Sequence, residues 1–168
     1  MSARAAHAGN TVTLGCFEVG GRVYAMDVAQ LREVVRWQPV TPLPNAPKLI
    51  EGVIDLRGAV VPVVDLGRAL GQPAVRPSLR ARIVVTEIDG LVVGFAVEAA
   101  LEVLAVEVDR LDDPPALATQ TGYDAARAVV RRPQGVPIVV LSLDHLLERV
   151  YRSALPARDE PAAQEDPE

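Results

Sequence analysis

Residues 51–71, EGVIDLRGAVVPVVDLGRALG, form the stretch of sequence that decides the fold. In its first half, apolar residues alternate with the charged side chains of Asp55 and Arg57, which predicts a strand with one apolar and one charged face. Gly58 supplies the backbone freedom that a tight turn requires. The nearly continuous valine run 59–66 predicts a second strand, buried on both faces. We therefore expect a hairpin that holds Asp55 and Arg57 beside a turn.

Two residues set the limits of this second strand. Pro62 has no N–H group to donate to a neighbouring strand, so we expect the strand to lie at a sheet edge or to carry a bulge. Asp65 follows the last valine and is placed to cap a short helix over 66–70, which Gly71 would end. The hairpin and the helical turn together predict one rigid unit.

The composition favours an all-β protein with an aliphatic core. Hydrophobic residues make up 49% of the 168 residues but aromatic residues only 4%, so valine, leucine and alanine must fill the interior. A chain of this length is expected to form one domain without disulfides. The 14 prolines and 12 glycines are spread along the chain, which favours many short strands over a few long helices.

Charge and cysteine content exclude several classes of function. The net charge of −5 and the single tryptophan give neither the basic surface nor the stacking platform that nucleic acid requires. Cys16 is the only cysteine, so no intramolecular disulfide forms. Residues 1–10 lack the apolar centre of a signal peptide, and no apolar run is long enough to insert into a membrane. We therefore expect a cytoplasmic protein.

Turn signals divide the remaining chain into short strands. Gly-Gly and Asp-Gly pairs each predict a two-residue hairpin. About nine to eleven strands result, with the spacing of a sandwich or of small barrels. Outside the central hairpin, the predicted strands are 11–19, 22–26, 82–88, 91–97, 101–106 and 136–141. Residues 33–40 are β-branched enough to form a further strand, and 123–130 fits either a helical turn or a strand.

Helix is expected in only two other places, and the termini are expected to be disordered. Asp27 with Gln30 has the pattern of a capping box before a short helix near 28–33, which gives way to strand at Glu33. Ser142 is placed to cap a closing amphipathic helix over 143–149. The predicted domain is 11–153, with a disordered segment at 1–10 and a disordered, acidic, proline-rich tail at 154–168.

The central motif resembles that of a known family. GVIDLRGAVVPVVDLGRALG is similar to the GVxNLRGxxVPVxDLRxxxG core of CheW-like domains, the adaptors of bacterial chemosensory arrays. Asp55 stands where asparagine is usual, and Gly67 where a basic residue often stands. Weaker similarity extends over 14–149, least over 112–135. The resemblance implies a mainly β fold of two small five-stranded, SH3-like barrels with a groove between them.

The resemblance also implies a function, partners and site residues. Such adaptors are not enzymes, need no cofactor, and couple the cytoplasmic tip of methyl-accepting chemoreceptors to the regulatory domain of a CheA-like histidine kinase. The chain would then be recruited to receptor arrays. The receptor-facing surface would include Glu33 and Arg57, and neighbouring family positions correspond to Leu31, Gly52 and Leu56.

Other interpretations remain open on the residues alone. The charged hairpin positions also fit a solvated strand face with a surface ion pair, worth about 0–1 kcal/mol. An accessory paralogue would bind only one partner, in a dedicated pilus, gliding or developmental pathway. A small β-barrel enzyme is the third hypothesis, but no nucleophile and base are paired in the sequence: Cys16 reads as a structural thiol, and His7 and His145 as solvated. Trp37 is assigned to the core.

Overall fold

The computed structural model describes residues 10–115 and 125–154. Two short α-helices, α1 (Leu66–Ala69) and α2 (Leu143–Ala154), accompany the strands of this part of the chain. In chain order the strands are β1 (Thr11–Val19), β2 (Arg22–Asp27), β3 (Leu31–Arg36), β4 (Ile50–Leu56), β5 (Ala59–Asp65), β6 (Arg82–Ile88), β7 (Leu91–Val97), β8 (Ala99–Glu107), β9 (Leu111–Asp112), β10 (Ala126–Val130) and β11 (Ile138–Leu141).

The strands form two sheets whose sequences interleave. One sheet has the order β3-β6-β7-β5-β4 and is called the first barrel below. The other has the order β8-β1-β2-β11-β10-β9 and is called the second barrel. Strands β3–β7, which are continuous in sequence, form the first barrel. The second barrel combines β1 and β2, which precede that segment, with β8–β11, which follow it. It counts six strands because the two-residue β9 pairs with β10.

Each sheet curls around an aliphatic core of its own, and a third core joins them. Glu33 on β3 and Arg57 at the β4–β5 turn belong to opposite ends of the first sheet's strand order, yet they form an ion pair, so this sheet is curled. The third core packs α2 against residues from both sheets. Trp37 is half-buried against the core of the first barrel, as expected.

The predicted hairpins are confirmed. Both residues of each two-residue turn have positive φ, as in type I′ turns, whose backbone twist matches that of the flanking strands. The turns are Gly20-Gly21, Arg57-Gly58 and Asp89-Gly90. The bounds of β6 and β7 match the predicted 82–88 and 91–97.

The short helix expected near 28–33 is wrong in extent. It is a single 3-10 turn, Val28–Gln30, and β3 begins at once at Leu31. Asp27 caps the turn through the Ala29 N–H, but Gln30 does not complete a capping box; its side chain donates to Asp144 on α2. Pairing of β3 with β6 outweighs helical propensity here, and Glu33 becomes a strand residue.

The expectation that Pro62 marks an edge strand or a bulge in its own strand is also wrong. Strand β5 lies between β7 and β4, and the register shift falls in β4, between Ile50 and Gly52. Both backbone polar groups of Val53, the residue opposite Pro62, bond to Thr41 instead. Pro62 therefore lies opposite β4 at a non-hydrogen-bonded position, and the ladder with β7 on its other side begins only at Val63, so the missing N–H interrupts neither ladder.

The valine run is buried only in its second half. Val61, Val63 and Val64 are buried, whereas Ala59 is exposed and Val60 is 71% exposed. Val60 pairs across the hairpin with Asp55, so it shares the solvent face of that carboxylate. The tip of the hairpin extends beyond the core, so the apolar side chain of Val60 lies on the surface.

The capping predictions for both α-helices are confirmed. Asp65 Oδ1 accepts from the Arg68 N–H at 3.0 Å, and α1 is followed by Gly71 with φ of +72°. Ser142 Oγ accepts from the His145 N–H at 3.4 Å and also bonds His145 Nδ1. Helix α2 continues past the predicted end at 149. None of the described helices is both long and apolar enough to cross a membrane.

The predictions for the termini fall largely outside the described residues. Residues 1–9 and 155–168 lie beyond the described part of the chain. Of the predicted terminal segments, Asn10 accepts a backbone bond from the Val108 N–H at 2.8 Å, and Ala154 is the last residue of α2. The domain limits 11–153 and the disordered tail stay predictions.

Candidate partner-binding site

The Arg57-Gly58 turn presents a guanidinium at the tip of the central hairpin. Arg57 has φ of +51°, a conformation that side chains other than glycine, asparagine and aspartate rarely adopt. The Gly58 N–H donates to Asp55 Oδ1 at 2.8 Å, which closes the turn from the strand side. The Arg57 side chain is 74% exposed. The backbone is thus fixed while the charged group projects outward.

Glu33 meets this guanidinium from the opposite end of the sheet. The β3–β6 register shifts between Leu31 and Glu33, so Arg32 occupies a bulge that redirects the following side chain. Glu33 Oε2 accepts from the Arg57 guanidinium at 2.5 Å. Its side chain is only 29% exposed, and its Oε1 is buried without a hydrogen-bond partner among the described residues. Glu33 therefore retains an unused acceptor beside the ion pair.

The ion pair forms the rim of a groove of about 430 Å³ on the first barrel. Leu56, Val61, Val85 and Val92 give it an apolar floor, while the exposed Val60 stands at its edge. A charged rim over an aliphatic floor suits a protein partner that contributes both apolar and ionic contacts. The groove is lined by Arg32, Glu33, Leu56, Arg57, Ala59, Val60, Val61, Val85 and Val92.

The structure brings together three of the five residues predicted for the site. Glu33, Leu56 and Arg57 all line the groove. Leu31 does not; it packs against the core that joins the barrels. Gly52 is buried with φ of +151°, and a side chain there would overlap the Thr41 carbonyl. Gly52 is thus a structural residue of the β4 irregularity and does not line the groove.

Sequence reasoning missed six of the nine groove residues, and two of these, Val60 and Arg32, show why. The uniform valine run predicts a buried Val60, whereas this residue is 71% exposed. Its position opposite Asp55 in the hairpin was the available signal, since the two residues must share a face. Arg32 depends on a bulge that has no sequence signature; its side chain pairs with Glu87 at 3.3 Å.

The two departures from the family motif have local explanations. Asp55 accepts the Gly58 N–H through one side-chain oxygen, an interaction that an asparagine in its place would also supply. At Gly67, a side chain would overlap the carbonyl of Pro73, so the loop after α1 packs too closely for any larger residue. Asp55 therefore preserves the turn, and Gly67 reflects this chain's own loop.

The described residues show no metal-binding cluster, and the cysteine among them is a buried thiol. No group of three or more histidine, cysteine, aspartate or glutamate side chains among them is placed to hold a metal ion. Cys16 is buried in the core of the second barrel. Burial raises the pKa of its thiol, Glu102 raises that pKa further and Arg132 opposes the change, so the thiol is neutral at physiological pH.

Comparison with known proteins agrees with the fold and the motif. Residues 13–150 match the family model of the CheW-like domain. The chain is 35% identical over 138 residues to "Chemotaxis protein CheW" of Rhizobium meliloti, covering 82% of this chain and 88% of that protein. It is 34% identical over 111 residues to "Protein FrzA" of Myxococcus xanthus, covering 66% of each.

A solved structure of a scaffolding protein also resembles this fold. The scaffolding protein TtCheW from Thermoanaerobacter tengcongensis superposes with a TM-score of 0.73 at 29% identity, covering 82% of this chain and 92% of that one. The family match spans most of the chain, including the hairpin, the groove and both barrels. The chain therefore belongs to the family of CheW-like domains, which are non-catalytic scaffold proteins of chemotaxis.

Proposed function

We propose that this chemotaxis adaptor couples the cytoplasmic tip of a methyl-accepting chemoreceptor to a CheA-like histidine kinase, and that the Arg57–Glu33 groove faces the receptor. The observation that carries the proposal is the ion pair at the rim of an aliphatic groove, held by a strained turn. We assign receptor contacts to Glu33, Leu56 and Arg57, with Val60 as an added apolar contact. Leu31 and Gly52 do not line the groove, so we assign them structural roles.

Receptor tips are helical, and a helix suits this groove by its chemistry. Apolar side chains at helical spacing would contact Leu56 and Val60, while a polar side chain would approach the rim. The free Glu33 Oε1 is an acceptor for such a group. Receptor binding would exclude water from the Arg57–Glu33 ion pair, whose charges solvent now screens. Because desolvation strengthens charge interactions, the pair would contribute more in the complex than in the free adaptor.

Kinase binding belongs to other surfaces of the chain. An adaptor that holds receptor and kinase in one complex acts by thermodynamic linkage. Receptor conformations that differ in their affinity for the adaptor–kinase complex shift the equilibrium between the kinase's activity states. The chain needs no cofactor for this role. Recruitment to receptor arrays follows from the two contacts.

The test is receptor capture by variants of the rim. Arg57→Ala and Glu33→Ala should keep the wild-type melting temperature within a few degrees but weaken receptor binding by about 2–5 kcal/mol, as expected for a desolvated interfacial charge. Arg80→Ala is the matched control. Its ion pair with Glu18 has similar exposure, 67% and 28%, but lies outside the groove. Equal receptor binding by Arg57→Ala and wild type would refute the assignment.

The same experiment distinguishes the coupling role from the accessory one. Kinase binding is measured beside receptor binding for wild type and each variant. We expect wild type to bind both partners and Arg57→Ala to lose receptor alone. A wild-type chain that binds receptor but no CheA-like kinase would instead be an accessory paralogue.

A further inference from the structure

A second groove, on the second barrel, has the chemistry of another docking site. We propose that it binds an acidic polypeptide segment with aliphatic side chains, supplied by a partner protein. It shares no lining residue with the Arg57–Glu33 groove, so the proposal is independent of the receptor site. It has a volume of about 740 Å³ and is lined by Gly21, Arg22, Val23, Tyr24, Arg132, Gly135, Val136, Pro137 and Val139.

The groove exists because two parallel strands diverge. Strands β2 and β11 pair only at Tyr24–Val139 and Ala25–Val140. The residues that precede this short ladder, 22–23 on one side and 135–138 on the other, are not paired with each other. The space between them is the groove, and Pro137 on its wall has no N–H to offer a neighbouring strand.

The floor of this groove is apolar, and no residue in the described part of the chain fills it. Val23, Tyr24 and Val139 are half-buried, with their other sides against the protein core. Val136 is 78% exposed at the rim. A valine this exposed beside three other apolar lining residues forms a continuous apolar surface, which is typical of interaction sites rather than of isolated surface residues.

The charges around the floor determine the class of partner. Arg22 is exposed and Arg132 half-buried, and neither forms an ion pair with a described residue. The Nε of Arg132 is buried without an acceptor in the described part of the chain. The chain as a whole is acidic, with a net charge of −5, so two cations at one apolar groove that have no ion pair within 10–115 and 125–154 are distinctive. Carboxylates are their natural partners.

Peptide titration tests this proposal. A short synthetic peptide that alternates glutamate with leucine and valine is added to the full chain, and backbone amide shifts are followed by NMR. We expect saturable shifts confined to 22–24 and 132–139, weakened by salt. Arg132→Gln and Arg22→Gln should each weaken binding roughly tenfold, the loss expected for one charge-assisted contact.

Three controls make the result decisive. Arg36→Gln removes an exposed arginine with no ion pair to a described residue and outside the groove, so it should bind like wild type. Val136→Asp should fold, because the site is exposed, yet bind poorly. Wild-type affinity in Arg22→Gln and Val136→Asp would overturn the proposal even if Arg132→Gln did not fold. So would equal binding of a peptide with lysine in place of glutamate, or of an oligothymidylate of equal charge.

Receptor capture separates this proposal from the one above. Arg22→Gln and Val136→Asp should leave receptor binding unchanged, whereas Arg57→Ala should leave the peptide titration unchanged. Loss of receptor binding in Arg22→Gln would instead make this groove part of the receptor site and overturn its independence.

Discussion

Two turns of the first barrel share a backbone conformation but differ in the residue that adopts it. At the β6–β7 turn, Asp89 and Gly90 have φ of +50° and +81°; at the β4–β5 turn, Arg57 and Gly58 have +51° and +84°. Aspartate tolerates the left-handed region, and Asp-Gly is a preferred pair for such turns. Arginine there costs about 1–2 kcal/mol.

The surroundings of the two turns differ in a related way. Asp55, three residues before Gly58, accepts its N–H and stabilises the turn that contains Arg57. The residue three before Gly90 is Glu87, whose carboxylate pairs with Arg32 instead. The β6–β7 turn thus has the residue its backbone favours, while the β4–β5 turn holds a strained residue with added support. Strain retained at an exposed charge supports the proposal that Arg57 serves binding rather than folding.

The largest effect should separate the base of the Arg57 hairpin from its tip. Val63→Asp should destabilise the protein by about 3–5 kcal/mol or more, because Val63 is fully buried and the new charge has no partner. Val60→Asp on the same strand should stay within about 1 kcal/mol, even with Asp55 opposite. Urea denaturation of both variants measures this. Similar losses would show that the tip is as buried as the base.

The next effect distinguishes two glycines of the same hairpin. Gly52→Ala should lower the free energy of unfolding by about 2–5 kcal/mol, because the new methyl group overlaps the Thr41 carbonyl and the backbone is strained. Gly58→Ala should lower it by only about 1–2 kcal/mol, since its surroundings are open. A Gly52→Ala variant that is stable but fails to bind receptor would return Gly52 to the binding surface.

A double-mutant cycle tests whether the tip and the strand beside it act as one unit. The combined loss of receptor binding in Arg57→Ala with Glu33→Ala should fall short of the sum of the single losses by about 1 kcal/mol or more, because the two side chains are bonded to each other. Binding is measured by titration calorimetry with a receptor fragment. Additive losses would mean that each side chain contacts the receptor independently.

The smallest effect is expected from a substitution at the β6–β7 turn. Asp89→Arg recreates the Arg-Gly pair where no receptor contact is proposed. It should lower stability by about 1 kcal/mol, the difference in left-handed preference, and leave receptor binding intact. Thermal melts and receptor capture of the same preparation measure the two quantities. No loss of stability would mean that these turns accept arginine without strain.

The sequence was sufficient for the local features of these turns and insufficient for the features that join distant segments. Asp89-Gly90 placed β6 and β7 correctly because the turn signal and the flanking alternation agree. The helix near 28–33 failed because pairing with β6 decides that segment. The divergence of β2 from β11 was beyond prediction, since it depends on pairing between the two ends of the chain.

The site was predictable to a similar degree. The family motif assigned Arg57 to the candidate site, and alternation along the strand placed Leu56 on the apolar side; both line the groove. That Glu33 meets Arg57 depends on closure of the sheet, and that Glu33 is half-buried depends on the bulge at Arg32. Neither closure nor the bulge leaves a local pattern, so the geometry of the rim appears only in the folded chain.

The measurement that tests the account most directly is Arg57→Asn, followed for stability and receptor binding together. Asparagine suits the left-handed turn and relieves the strain, while loss of the exposed ion pair removes only about 0–1 kcal/mol. The variant should therefore be at least as stable as wild type in urea, yet bind receptor at least roughly tenfold more weakly. A variant that is clearly less stable, or one that binds receptor like wild type, would contradict the claim that Arg57 is kept in a strained turn for binding.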